Sequence, residues 1–490
     1  MIGEIAKMHE YICEYLKQHN KIILISIIAS AVFSLILYSK IGMRTSAMLF
    51  VALFCLIINV YLIYEDRRKS ILMFLILLPI YTTVRRICYF DLLFFKVTFE
   101  TIYVTILSVS SFKDIVYTVK SLFKSREELS FKFICMMGAF FIFCVNSAFY
   151  SVNVFNSLSE VYIGVFAPIM IMLCTITYFE KEDKYLIFYS FIVAIDFSCL
   201  YGFFQIFSRG FSLSSIKTNK IYLTFGYNNV NIFAGILVSV LPLLIEMILY
   251  KKNSKLEKIF LYPSFILYSI AALITFSRGA WLCYIGVIFL SLLSKRYRKI
   301  LIVLLVPAIF VAKPVFHYII DRGTSTSFLH NESAVARLQS IFTDLNIMKN
   351  YPFGIGGGNF AEAYNKFCFQ GYLSMPENIR FNATAAHYTL ENAHNLLLQI
   401  GVEFGIVSAI IFVVIVLNRL KVCLKNIEYC RGVFNSVIIY SMFSLITGNE
   451  FDHKGVITGT IIAFVMFGVI SLSLKKKDSV NKLDSTMGED

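Results

Sequence analysis

The chain has 490 residues, is 58% hydrophobic with 48 Phe, and has a mean hydropathy of +0.72. Soluble domains average ~45–50% apolar, so a soluble globular fold is excluded. The net charge of +14 would direct a soluble protein to nucleic acid, but here the cations gather in short loops between apolar runs, the pattern that orients membrane spans.

The apolar runs are of about 17–25 residues, the length that crosses ~30 Å of hydrocarbon. They are too long and too uniformly apolar for barrel strands, which leaves helices. The sequence therefore predicts an all-α integral membrane protein with about 12–14 transmembrane helices and one large extracytoplasmic loop between the late spans. The 11 Cys lie mostly inside apolar runs, without CxxC or metal-ligand spacing, and Cys368 stands alone in the long polar segment.

Residues 1–21 form a cytoplasmic N-terminal segment, too long and mixed in charge for a signal peptide. Ile2, Ile5, Ile12 and Leu16 share one helical face, as in an interfacial helix before an uncleaved span. A bundle of about eleven spans then occupies 22–318: 22–38, 44–64, 70–88, 96–118, 131–149, 160–179, 184–206, 230–250, 258–276, 279–293 and 300–318. Arg85, Arg86, Asp91 and Glu100 interrupt the third and fourth. About three spans follow in 394–474, at 394–417, 432–447 and 455–474, before a cytoplasmic tail at 475–490. With the N-terminus inside, the basic loops "YEDRRKS", "KKNSKLEK", "SKRYRK" and "NRLKVCLKN" all fall on the cytoplasmic side. Segment 319–393 is then extracytoplasmic.

That segment is ordered by its pattern. Val335, Leu338, Ile341, Phe342, Leu345 and Met348 recur at helical spacing. Pro352 ends the helix, and "PFGIGGGNF" supplies a tight glycine turn. The chain returns to the membrane at "ENAHNLLLQIGVEFGI".

His394 opens that last span at the outer boundary. It is a base near neutral pH, or an interfacial residue packed beneath the loop. Arg278, in "ITFSRGAWLCY", matches phosphate oxygens bidentately, or snorkels from a tight hairpin beside Trp281. Arg209 in "IFSRGF" is a similar case, and Arg337 on the loop helix either reaches a pocket or is solvated. Asp196, Glu246 and Glu403 suit a proton-coupled transporter, or serve as partners for an arginine. Asn228, Asn229 and Asn231 bind sugar hydroxyls or cap a helix. P-loop, HExxH and GxSxG motifs are absent, and "GIGGGNF" lacks a βαβ context. Chemistry outside the cytoplasm then needs a pre-activated substrate.

Four stretches in order resemble the O-antigen ligase and O-antigen polymerase superfamily of bacterial membrane glycosyltransferases. In "ENAHNLLLQIGVEFGI", His394, Asn395, Glu403 and Gly405 match its His-Asn span start and following Glu-x-Gly. In "RLQSIFTDLNIMKNYPFGIGGGNF", Arg337, Pro352, Gly354, Gly356 and Phe360 match, with Gly357 as an extra glycine. "TFSRGAWL" resembles its Ser-Arg-Gly hairpin. "GYNNVNIFAGIL" resembles its Asn-rich span start, with Asn229 where Pro is common. The agreement covers roughly residues 220–415, and the first ~200 residues match only as apolar spans.

The resemblance implies a multi-pass protein of the bacterial cytoplasmic membrane that transfers an undecaprenyl-diphosphate-linked glycan to an acceptor at the outer face. The acceptor is a lipid-linked repeat, a lipid core or a protein. It implies inversion, no metal and no cofactor. His394 would be the catalytic base, and Arg278, Arg337 and Arg209 would hold the diphosphate. Asn395, Glu403, Asn228, Gly354 and Gly356 would support them. The bilayer is a partner and nucleic acid is not. The rival reading is a transporter or flippase of lipid-linked glycans. It would place its ionisable residues near the midplane and show repeat symmetry, which the sequence lacks.

Overall fold

The computed structural model describes residues 19–85, 90–92, 95–124, 128–210, 212, 215–216, 223–227, 229–292, 332–386, 389–447 and 457–475. The N-terminal interfacial segment, the span expected at 300–318, Asn228 and the end of the tail lie outside them.

The protein is an all-α integral membrane protein. Helices α1 (Asn20–Ile41), α2 (Met43–Glu65) and α3 (Arg67–Arg85) run back and forth, and a two-stranded antiparallel ribbon, β1 (Phe90–Leu92) with β2 (Phe95–Val97), follows. The single span expected at 96–118 is instead α4 (Phe99–Ser110) and α5 (Phe112–Lys124), bent by 73° between them. After α6 (Glu128–Ala148) comes α7 (Val154–Val161), joined through a π turn at Tyr162–Phe166 to α8 (Ala167–Tyr178). Then come α9 (Lys184–Phe207), α10 (Val230–Tyr250), α11 (Lys255–Ile274) and α12 (Arg278–Leu292).

The segment expected to be extracytoplasmic, here the outer segment, contributes α13 (Glu332–Asn350), α14 (Phe360–Leu373) and α15 (Glu377–Arg380). The chain returns through α16 (Leu396–Phe404) to α17 (Ile406–Lys425), α18 (Ile427–Thr447) and α19 (Ile457–Leu472). Among the described residues eight helices are long and apolar enough to span a membrane, or nine with the bent pair as one. The span expected at 394–417 is broken: α16 stops at Gly405, whose φ is +91°, and the spanning helix is α17.

Helix α10 is the axis of the bundle, with 89% of its apolar window buried inside the protein. Asn229 caps it, its side chain accepting from Asn231 N at 2.7 Å. Small residues let α18 approach, as in other membrane helix pairs. A Cβ on Gly235 would overlap the Phe443 ring, and Ser436 Oγ donates to the Ser239 carbonyl. At the other end of α10 the ion pair Lys184 Nζ–Glu246 Oε1 is buried at 2.7 Å. Lys184 also donates to Tyr429 O at 2.7 Å, and Glu246 Oε2 accepts from Gly432 N.

The loop helix α13 corrects one expectation. Ile341 and Leu345, placed by periodicity on its inner face, are exposed, whereas Gln339, Ser340, Thr343 and Asp344 are fully buried. Hydrogen bonding decides this. Gln339 donates to Cys368 O and accepts from Ala386 N, each at 2.9 Å. Gly371 lets α14 close onto Thr343, where a Cβ would lie 2.8 Å from Thr343 Cα.

Candidate functional site at the outer end of the bundle

The residues "ENAHN" make a tight turn held by the side chains of Asn392, Asn395 and Gln399. His394 N donates to Asn392 Oδ1 at 3.2 Å, and Ala393 N to Gln399 Oε1 at 2.8 Å. Asn395 caps α16, accepting from Leu397 N at 3.0 Å and Leu398 N at 3.1 Å. His394 itself takes a left-handed backbone, with φ +52°, a conformation costly for a side chain with a Cβ.

Helix α16 is two-faced. Leu396, Ile400 and Phe404 belong to the core of the bundle, whereas Val402 packs into the separate core of the outer segment with Ala336, Ile347 and Ile355. His394 thus stands where the two cores meet.

The glycine turn is seated against the break after α16. Ile355 N donates to Val402 O at 3.0 Å, Gly356 N to Glu403 O at 2.9 Å, and Ile406 N to Pro352 O at 3.0 Å. Gly354 has φ +88°, and a Cβ there would meet the Glu403 carbonyl and lie 2.7 Å from Gly405 N. Gly356 has φ +83°, and a Cβ would lie 2.6 Å from Ser151 Cβ. Both glycines therefore shape the support of the site. The buried Glu403 accepts from Gly358 N at 2.9 Å, which makes it a brace of that turn.

Sequence reasoning missed the other side of this seat. Asn359 Nδ2 donates to Ser151 Oγ at 3.0 Å and Ser157 Oγ at 2.9 Å. The Glu160 side chain, buried, lies beneath Gly357 and Gly358. Ser151, Ser157 and Glu160 belong to a region that carries no motif; the only signal was a polar stretch, "YSVNVFNSLSE", before a span.

Of the three arginines, Arg337 acts on His394, and Arg278 lies at the same end of α18. Arg337 on α13 is near enough for its charge to act on the imidazole. Burial first, then the Arg337 guanidinium, push the His394 pKa down to about 4, against a hydrogen bond to the Thr447 main chain that raises it. Arg278 arrives through the end of α18. Asn395 Nδ2 donates to Leu445 O at 3.1 Å, and a Cβ on Gly279 would lie 3.5 Å from Ile446 Cγ2. The last turn of α18 therefore has His394 and Asn395 on one side and the Arg278–Gly279 start of α12 on the other. Arg278 is exposed at that start, where helix N–H groups and a guanidinium together favour an anion.

Arg209 is exposed beyond the end of α9 and turns back on its own helix, donating to Gln205 O at 3.1 Å. None of its hydrogen bonds described here joins it to the His394 cluster. The transporter candidates are engaged elsewhere: Asp196 accepts from Ser264 Oγ at 2.7 Å, and Glu246 holds Lys184.

Among the described residues, the non-glycine residues with positive φ are Phe225, Phe276 and His394. Phe276 sits two residues before Arg278, and Phe225 packs on the first turn of α10. Strain of this kind collects at functional sites, and all three are at this end of the bundle.

No curated protein matches the sequence. Residues 263–413 match the family model described as O-antigen ligase. The match contains Arg278, Arg337, the glycine turn and His394, and over this segment the chain is similar to the O-antigen ligase family.

Proposed function

We propose that the protein transfers a glycan from a polyprenyl diphosphate to an acceptor sugar hydroxyl at the outer face of the bacterial cytoplasmic membrane. The observation that carries this reading is the pairing of Arg337 with His394 where the loop core meets the bundle core. A lipid-linked donor has its chain in hydrocarbon and its sugar in water, so its reacting bond lies at such a boundary.

In the reaction the acceptor oxygen attacks the anomeric carbon, the bond from that carbon to the diphosphate oxygen breaks, and polyprenyl diphosphate leaves. Arg278 and Arg337 pair with the charge that builds on the leaving diphosphate, the term preorganised cations stabilise best. His394 takes the proton of the attacking hydroxyl. With a pKa of about 4, it is neutral but a weak base in the empty site. A bound diphosphate brings negative charge beside it and offsets Arg337, and both changes raise its affinity for a proton. The donor thus strengthens the base that acts on the acceptor.

The test uses purified protein in detergent, where there is no membrane to cross. Formation of a new glycosidic bond from a lipid-linked donor supports transfer, and its absence under conditions where a flippase works in vesicles overturns it. Mass spectrometry of undecaprenyl-linked glycans in a host lacking the gene identifies the acceptor. Single repeat units accumulate if the protein is a polymerase, and long polymer accumulates if it is a ligase.

A further inference from the structure

Helix α5 (Phe112–Lys124) does not continue the span begun by α4; it turns 73° away from it. A helix at that angle to a spanning one runs close to the membrane plane, where amphipathic helices lie between headgroups and acyl chains. The bend is pinned at the end of the bundle that carries the basic loops. Arg67 Nη1 donates to Asp114 Oδ2 at 2.8 Å, and Arg67 Nη2 to Ser110 O at 3.0 Å. Tyr178 OH donates to the same carboxylate oxygen at 2.6 Å. Arg67 opens α3 and Tyr178 closes α8, so α5 is held level with the ends of two helices of the bundle.

Helix α5 has three faces. Ile115 is buried, and Val119 and Leu122 pack against the core of the bundle. The second face is apolar yet uncovered: Phe112 is 63% exposed and Phe123 41%. At about 100° per residue, Phe112, Phe123 and Val116 share roughly 40° of arc. Lys120 and Lys113, both exposed, follow about 40–60° further round. They stand ~10 Å apart along the helix, so each meets its own anion.

The outward charge of the helix is of one sign. Asp114 is the only carboxylate in "FKDIVYTVKSLFK", and it is engaged inward by Arg67 and Tyr178. Two lysines bordering exposed phenylalanines need anions at one level and hydrocarbon just beneath. A soluble acidic partner supplies the first and leaves the rings in water. An anionic leaflet supplies both, and its surface potential favours each lysine close to it by roughly five-fold.

We infer that α5 is an interfacial helix that selects anionic phospholipid, its Lys113 and Lys120 meeting headgroups of the leaflet on the side of the basic loops and Phe112 and Phe123 entering the acyl chains below. The helix lies outside residues 263–413, and the inference is independent of the proposed transfer reaction.

The test uses the full chain in nanodiscs that mix phosphatidylcholine and phosphatidylglycerol, with bromine on the acyl chains of one lipid at a time. Phe112→Trp and Phe123→Trp report contact by quenching, after the emission of Trp281 in wild-type discs is subtracted. At equal mole fraction, brominated phosphatidylglycerol should quench at least two-fold more than brominated phosphatidylcholine. Adding Lys113→Gln and Lys120→Gln should make the two lipids equal. It should leave quenching by phosphatidylcholine, and the melting temperature in that lipid alone, as in the parent. Lys252→Gln with Lys258→Gln, exposed around the start of α11 at the same end, should keep the preference.

Equal quenching in the parent would overturn the inference. So would a preference that survives loss of Lys113 and Lys120, or one that loss of Lys252 and Lys258 removes as fully. Absence of quenching by either lipid would put α5 off the membrane and make its exposed face a contact for a protein instead.

Discussion

At the scale of single residues, His394 carries the most specific expectations. Its depressed pKa has a sign that kinetics can read. Protonation of the free enzyme governs kcat/KM, and that of the bound enzyme governs kcat. The acid limb of kcat/KM is expected near pH 4, and that of kcat higher, because a bound diphosphate raises the imidazole's pKa. Arg337→Gln should lift the kcat/KM limb toward the ordinary histidine value of about 6.5, since it removes a cation. Coincident limbs near 6.5 in wild type and variant would exclude the electrostatic pairing. His394→Asn is the informative replacement. Asn tolerates the left-handed backbone better than most residues, so the turn survives and the loss, expected at roughly 10²–10⁴-fold in kcat, reports the imidazole. Full activity in that variant would remove His394 from the chemistry. His394 and Arg337 were legible from the His-Asn and loop-helix motifs. The pKa was not, because it depends first on burial and then on a cation 57 positions away in sequence.

At the scale of elements, the outer segment is fastened to the bundle by backbone. Gly354 and Gly405 both have positive φ and would both collide if given side chains. Gly354→Ala should destabilise by roughly 2–4 kcal/mol, from strain and overpacking together. Gly138, mid-helix in α6 with open space around it, is the contrast: Gly138→Ala should be neutral or stabilise by about 0.5 kcal/mol. Melting temperatures of the two variants in one detergent compare them directly, and equal shifts would contradict the seam. The glycines were visible in the sequence, but their partners were not. Glu160, Ser151 and Ser157 sit some 200 residues earlier, in a region where spacing carries no message. The inner face of α13 was misread for a related reason. Periodicity counts apolar residues, whereas Gln339 and Thr343 are buried because specific hydrogen bonds and a glycine opposite receive them.

At the scale of the molecule, apolar run length marked most of the helices among the described residues, in order, since hydrocarbon thickness constrains it directly. It did not reveal the 73° bend between α4 and α5 or the break at Gly405, where local backbone and packing override length. The Lys184–Glu246 pair binds α9 to α10 at the end away from the site, and Lys184 reaches Tyr429 of α18 as well. Lys184→Met leaves a buried carboxylate without its cation and should cost about 3–5 kcal/mol. Lys184→Met with Glu246→Leu should recover most of that, because the uncompensated charge is gone. If the double variant melts as low as the single one, the pair contributes more than mutual neutralisation.

The three backbone bonds that join the glycine turn to the end of α16 have a practical corollary. They make residues 332–405 a cassette rather than a flap: its far edge cannot swing while its near edge is stitched to the spanning helix. Exchanging it between relatives should then succeed only when both edges of the stitching travel together. A chimera cut between Gly356 and Val402 would separate the partners of every stitch.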